Sequence, residues 1–265
     1  MKQPIGIMDS GVGGLTVAKE VMRQLPNENI VYIGDTARCP YGPRPMEDVK
    51  KFTWQMTRYL LKYDMKMLII ACNTATAAAL EEISSELPIP VLGVIYPGAR
   101  AALKVSLNLH IGIIGTNGTV ASKAYDQALA MINNRVKVDS LACPKFVPIV
   151  ESGAFHGSIV RKVIAETLQP LKRTNIDTLV LGCTHYPLLG PEISRFMGRN
   201  IKVISSGEET AREASVILQH DNMLNISNET PKHQFFTTGS KEIFQSIAYS
   251  WIGEKIGTVQ TVKID

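Results

Sequence analysis

The 265-residue sequence lacks several features that would decide its class at once. No apolar run approaches the roughly 20 residues needed to span a membrane. The opening stretch, Met-Lys-Gln-Pro-Ile-Gly-Ile-Met-Asp, has no uninterrupted apolar core of the kind an export signal carries. Cysteine is scarce: Cys39, Cys72, Cys143 and Cys183 stand far apart with no C-x-x-C pair. That excludes a small disulfide scaffold and gives no recognised metal-ligand spacing. Charge of one sign is scarce too, with 28 basic against 24 acidic residues for a net +4. No Lys/Arg-rich run concentrates that excess, so the basic footprint of a nucleic-acid binder is missing. With 45% hydrophobic residues the chain is too apolar to be disordered. The expectation left standing is a cytoplasmic globular protein with no membrane or nucleic-acid partner. At this length it forms one large or two modest domains and buries its core without disulfides.

What is present is alternation. Compact apolar runs at 5–8, 30–33, 67–71, 91–95, 111–114, 136–141, 178–181 and 202–204 predict strands, with a last one near Phe235. Helical spacing covers 15–25, 47–63, 75–87 and 241–251, and Val49, Phe52, Met56, Tyr59, Leu60 and Tyr63 share one face of the second of these. The Asn- and Ser-rich stretch 221–232 predicts a surface loop. Such alternation gives an α/β fold, a mainly parallel sheet covered by helices. Two echoes suggest duplication. Ile5-Gly-Ile returns as Ile111-Gly-Ile, and Leu68-Ile-Ile-Ala-Cys72-Asn-Thr returns as Leu179-Val-Leu-Gly-Cys183-Thr-His at nearly the same spacing. Two related α/β halves are therefore expected.

In open α/β sheets, ligands bind beyond the carboxyl ends of the strands. Cys72 and Cys183 each end an apolar strand and are followed by amide or hydroxyl residues, Asn73-Thr74 and Thr184-His185. A helix start after each would present N–H groups that favour anions and thiolates. A free cysteine is often just a small buried hydrophobe, but a matched pair suits chemistry. Inverting a stereocentre needs a base on one face and an acid on the other, which two thiols facing each other supply. A redox pair would instead need disulfide geometry. Asp9-Ser10-Gly11-Val12-Gly13-Gly14 is a glycine loop between the first strand and helix. Thr16 breaks the dinucleotide fingerprint and no Gly-Lys-Ser/Thr follows, so neither nucleotide motif is met. The loop still suits a carboxylate. Thr116-Asn117-Gly118-Thr119 is its counterpart in the second half, and Cys39-Pro40-Tyr41-Gly42 is a further polar loop. Cys39 and Cys143 lack such placement and are expected to be structural.

Asp9-Ser10-Gly-Val-Gly-Gly, Cys39-Pro-Tyr-Gly42, Ala71-Cys72-Asn-Thr74, Phe146-Val-Pro-Ile-Val-Glu151 and Gly182-Cys183-Thr-His-Tyr-Pro187 together resemble, in order and nearly end to end, the glutamate racemases of the aspartate/glutamate racemase superfamily. The resemblance implies an enzyme that needs no cofactor or metal and interconverts L- and D-glutamate for peptidoglycan synthesis, commonly as a homodimer. It implies two pseudo-symmetric domains, 1–97 with 208–265 and 98–207, with the active site in the cleft between them. Cys72 and Cys183 become the acid/base thiols, assisted by Asp9 and His185 respectively. Asp9, Ser10, Tyr41, Gly42, Asn73, Thr74, Thr184 and His185 would hold the ammonium and carboxylates, with Thr116, Thr119 and Glu151 lining the same region. Aspartate racemases share the plan but typically carry Cys-Thr-Glu where this chain has Cys183-Thr-His185. An amino-acid-binding module would not need two thiols, and a pyridoxal-phosphate racemase would need a Schiff-base lysine, for which no lysine here is marked.

Overall fold

A strand covered on both faces can be apolar at successive positions, and the first one is: Ile5–Asp9 (β1) is buried throughout. The computed structural model describes residues 1–227, 229–253 and 256–264. It sets β1 between Ile30–Gly34 (β2) and Met67–Ile70 (β3), with Val91–Gly93 (β4) outside β3. His110–Gly115 (β5), Lys137–Ala142 (β6), Thr178–Gly182 (β7) and Lys202–Ser205 (β8) form a second sheet. His233–Thr237 (β9) and Val259–Thr261 (β10) return to the first. The orders are β10-β9-β2-β1-β3-β4 and β6-β5-β7-β8, and every pairing is parallel. Without β9 and β10 the two orders are the same. The Ile-Gly-Ile echo falls on β1 and β5, and the cysteine echo on β3 and β7, each pair in equivalent slots.

The helices are Leu15–Gln24 (α1), Met46–Leu61 (α2), Asn73–Glu86 (α3), Ile95–Val105 (α4), Asn117–Ala121 (α5), Ala124–Ile132 (α6), Phe146–Glu151 (α7), Ser158–Lys172 (α8), Gly190–Met197 (α9), Ser206–His220 (α10) and Lys241–Ile252 (α11). Strand alternation divides the core between them. Ile5, Ile7, Met67 and Ile69 point to α1, α10 and α11, while Met8, Leu68 and Ile70 point to α2 and α3. In the second sheet Ile111, Ile113 and Val180 pack on α4 and α6, and Leu179 and Leu181 on α7, α8 and α9. Each such fully buried aliphatic side chain contributes about 1.5–3 kcal/mol.

The expected elements shift in telling places. The strand expected over 91–95 stops at Gly93 because Ile95 already opens α4. The helix expected from Ala75 starts at Asn73, which makes Cys72 its N-cap residue. Phe235 does not lie in the last strand. The three-residue β10, exposed at two of its positions, pairs beyond it and is too short for periodicity to reveal. The expected loop over 221–232 is largely without helix or strand, its residue 228 lying outside the described residues. The expected domain limits at 97/98 and 207/208 fall inside α4 and the first turn of α10. Among the described residues no helix is long and apolar enough to cross a membrane.

Candidate active site

The carboxyl ends of β1, β3, β5 and β7 converge on one cavity of about 20 Å³. Ser10, Tyr41, Gly42, Cys72, Asn73 and Thr74 line it from the first half, with Pro40 beside them. Thr116, Cys183, Thr184 and His185 line it from the second, with Val147 and Gly182. Asp9, Thr119 and Glu151, expected at the substrate, stand one side chain back behind Thr184, Thr74 and His185. Gly13 permits the approach of the β1 and β7 loops, and Gly14 the packing of α1 on the end of β1. A Cβ on Gly13 would collide with Thr184 and His185, and one on Gly14 with Asp9.

Around Cys72 the neighbours are two neutral donors and one acid. The Cys72 carbonyl accepts from the Thr76 N–H at 2.8 Å, opening α3. Burial first, and the nearby Asp9 carboxylate second, push the thiol up to about 12, against the Ala75 N–H and the Ser10 hydroxyl, which favour thiolate. Asp9 is fully buried. It accepts from the Gly11 N–H at 3.0 Å and from the Thr184 hydroxyl at 3.3 Å. Burial raises its carboxyl above the usual range despite the pull of His185 and these donors. Asp9 is thus a carboxyl biased toward keeping a proton, one strand from a thiol biased the same way.

Around Cys183 the neighbour is a cation. His185 Nδ1 lies 3.8 Å from Cys183 Sγ. His185 Nε2 lies 3.3 Å from Glu151 Oε1, close enough for ion pairing without hydrogen-bond alignment. Burial alone would lower the imidazole pKa. Contacts to Cys183 and Glu151, with the charge of Asp9, outweigh it and push His185 up to about 10. Glu151 is held below the usual carboxylate range, chiefly by His185. A protonated imidazole therefore sits against the second sulfur at neutral pH.

Cys39, expected to be structural, touches a residue that in turn pairs with His185. Its Sγ donates to the same Glu151 oxygen at 3.2 Å, joining the β2–α2 loop to α7. Cys143 is fully buried, with its thiol pushed up to about 12 chiefly by burial. Tyr41 lines the cavity, and its hydroxyl donates to Asp35 at 2.5 Å. Asp35 escaped the sequence reading, although it follows β2 as closely as Asp9 ends β1. It also accepts from Arg38 and Thr238 and so fixes the whole loop. Thr74, Thr116 and Thr119 share hydroxyl contacts of 2.9–3.2 Å across the two halves. Asn73 Oδ1 accepts from Tyr125, while buried Asn73 Nδ2 has no hydrogen-bond partner among the described residues. An unpaired donor in a buried cavity is a place for an acceptor such as a carboxylate oxygen.

Two equivalent strand ends, each with a thiol, facing one polar cavity between two parallel sheets define the class of protein, and sequence and structural comparisons agree. Residues 5–214 match the model of the Asp/Glu/Hydantoin racemase family. The chain belongs to that family and is an enzyme. It is 59% identical over 265 residues, all of this chain and 98% of the relative, to a glutamate racemase of Bacillus cereus. The structure of a glutamate racemase isoform from Bacillus anthracis superposes with a TM-score of 0.96 at 50% identity, over 99% of this chain and 98% of that one. A glutamate racemase from Francisella tularensis, solved in complex with D-glutamate, gives 0.93 at 33% identity, over 100% and 98%.

Proposed function

We propose that this enzyme interconverts L- and D-glutamate without cofactor or metal, by proton transfer between Cys72 and Cys183 on opposite faces of the substrate. The observation that carries this reading is the placement of the two thiols at equivalent ends of β3 and β7, on one cavity. One sulfur, as thiolate, takes the Cα proton and becomes a thiol. The electron pair left on Cα then takes the proton of the other thiol from the opposite side, and that sulfur becomes the thiolate. The reverse reaction exchanges the roles. Asp9 serves the Cys72 side and His185 the Cys183 side. Asn73 Nδ2, the threonine hydroxyls and the first N–H groups of α3 are the donors for the carboxylates. Glutamate is favoured as substrate by the activity named for the Bacillus cereus relative and by the D-glutamate bound to the Francisella tularensis one.

A cavity of about 20 Å³ holds little more than one water, so substrate entry requires the two halves, 1–97 with 208–265 and 98–207, to part and close again. The enzyme works in this reading as a cytoplasmic homodimer, and its D-glutamate goes to peptidoglycan. The test is incubation of the purified protein with L-glutamate and, separately, L-aspartate, followed by chiral analysis. Approach to a racemic glutamate mixture with much slower aspartate turnover is expected, because buried donors placed for the longer reach are left unpaired by the shorter acid. Equal efficiency on both acids, or none on glutamate, overturns the reading.

A further inference from the structure

One side chain touches a neighbour of each thiol. Tyr125, on α6, is 2% exposed. Its ring lies against Gly182, the residue before Cys183: a Cβ on Gly182 would stand 3.0 Å from Tyr125 Cε2 and 2.8 Å from the Ile114 carbonyl. Its hydroxyl reaches the other way and donates to Oδ1 of Asn73, the residue after Cys72, at 2.8 Å. The Ser206 side chain, at the start of α10, also lies beside that hydroxyl. A carboxamide is nearly symmetric in shape and opposite in chemistry at its two ends, so an amide with nothing fixing its oxygen can turn over and offer an acceptor where a donor is needed. Here the oxygen is fixed, and the nitrogen has no hydrogen-bond partner among the described residues in a side chain that lines the cavity.

We propose that Tyr125 is a positioning residue for the reaction: acting through Asn73, it holds the amide with Nδ2 toward the substrate carboxylate while its ring sets the Cys183 loop against the Cys72 loop. The two contacts separate cleanly by substitution. Tyr125→Phe keeps the ring on Gly182 and removes only the hydroxyl, whereas Tyr125→Ala removes both.

The inference rests on the glutamate racemase reading, so wild type is assayed alongside, with L- and D-glutamate. Tyr125→Phe is expected to raise KM about tenfold in both directions with kcat within about threefold, as loss of a binding contact does. Tyr125→Ala is expected to lower kcat as well. A merely structural hydroxyl would reduce the amount of active enzyme, and so kcat, without moving KM. In an Asn73→Ala background the Tyr125→Phe change should move KM less than about twofold, because the group it acts through is gone. If Tyr125→Phe does not fold, Ser206→Ala loosens the same hydroxyl and should raise KM about threefold, again only with Asn73 present. An unchanged KM in the folded single variant, or the full KM effect without Asn73, overturns the inference. Failure of wild type to racemise glutamate overturns the racemase reading and this inference with it; racemisation by wild type with an unmoved KM overturns this inference alone.

Discussion

The Cys72 and Cys183 arms occupy equivalent slots of a repeated strand order, yet their surroundings are opposite. Cys72 caps a 14-residue helix, where burial first and the neighbouring Asp9 carboxyl second resist thiolate formation. Cys183 precedes a four-residue 3-10 turn, Tyr186–Leu189, and faces an imidazole whose pKa is raised by Cys183 itself and by Glu151. A repeated fold supplies two sulfurs in equivalent places, and the residues around them make one arm acidic and the other cationic. Asp9 accepts from the Thr184 hydroxyl and feels the charge of His185, so the two arms form one electrostatic unit.

The largest effect should come from removing either arm. Cys72→Ala or Cys183→Ala should lower racemisation of both enantiomers by about 10³-fold or more, with the double variant little worse, because residues acting as a unit are not additive. Steady-state rates on both enantiomers check this, and additive losses would break the pairing. Cys→Ser at either position should also be severely impaired, a hydroxyl being a far weaker acid.

Asp9→Asn and His185→Asn probe the difference between the arms. Each should lower kcat about 10–100-fold. Catalytic efficiency must fall equally in both directions, since the enantiomers have equal free energy. The asymmetry is read instead with α-deuterated glutamate: the isotope effect should grow for one enantiomer in Asp9→Asn and for the other in His185→Asn. The same enantiomer responding in both would mean that the two residues do not serve separate thiols.

A smaller effect lies in stability against pH. His185 binds its proton more tightly folded than unfolded, with a pKa of about 10 against an ordinary 6.5. Its contribution is therefore fully present below about pH 6.5 and is lost as pH rises through about 10. Relative to wild type, the Tm of His185→Asn should fall less steeply across that window. Parallel curves would remove the case for a protonated imidazole. The smallest effect belongs to Cys39→Ala, which frees one contact on Glu151 and should change kcat or KM by less than about threefold. Cys143→Ala should cost stability of order 1 kcal/mol and leave turnover intact.

The sheet cores were legible because doubly covered parallel strands are continuous apolar runs, and the two thiols because each ends such a run. The start of α3 was misplaced because Asn73 and Thr74 read as loop residues, whereas both are buried, with Tyr125 and the other threonines as partners from the second half. Tyr125 itself is indistinguishable in sequence from a core aromatic at helical spacing with Ala128 and Leu129. The Cys39–Glu151 contact is illegible in sequence because the two residues stand 112 apart. β10 escaped because its strand partner, not its own pattern, makes it a strand.

The central claim, two thiols on opposite faces, is tested most directly by following L-glutamate in deuterated water during the first few per cent of conversion. The account predicts that the D-glutamate formed carries deuterium at Cα while the remaining L-glutamate does not, because the proton removed on one face stays with one sulfur and the deuteron added on the other comes from the second. D-glutamate retaining the original proton, or L-glutamate gaining deuterium as fast as D-glutamate appears, would mean that a single group works both faces, and would contradict it.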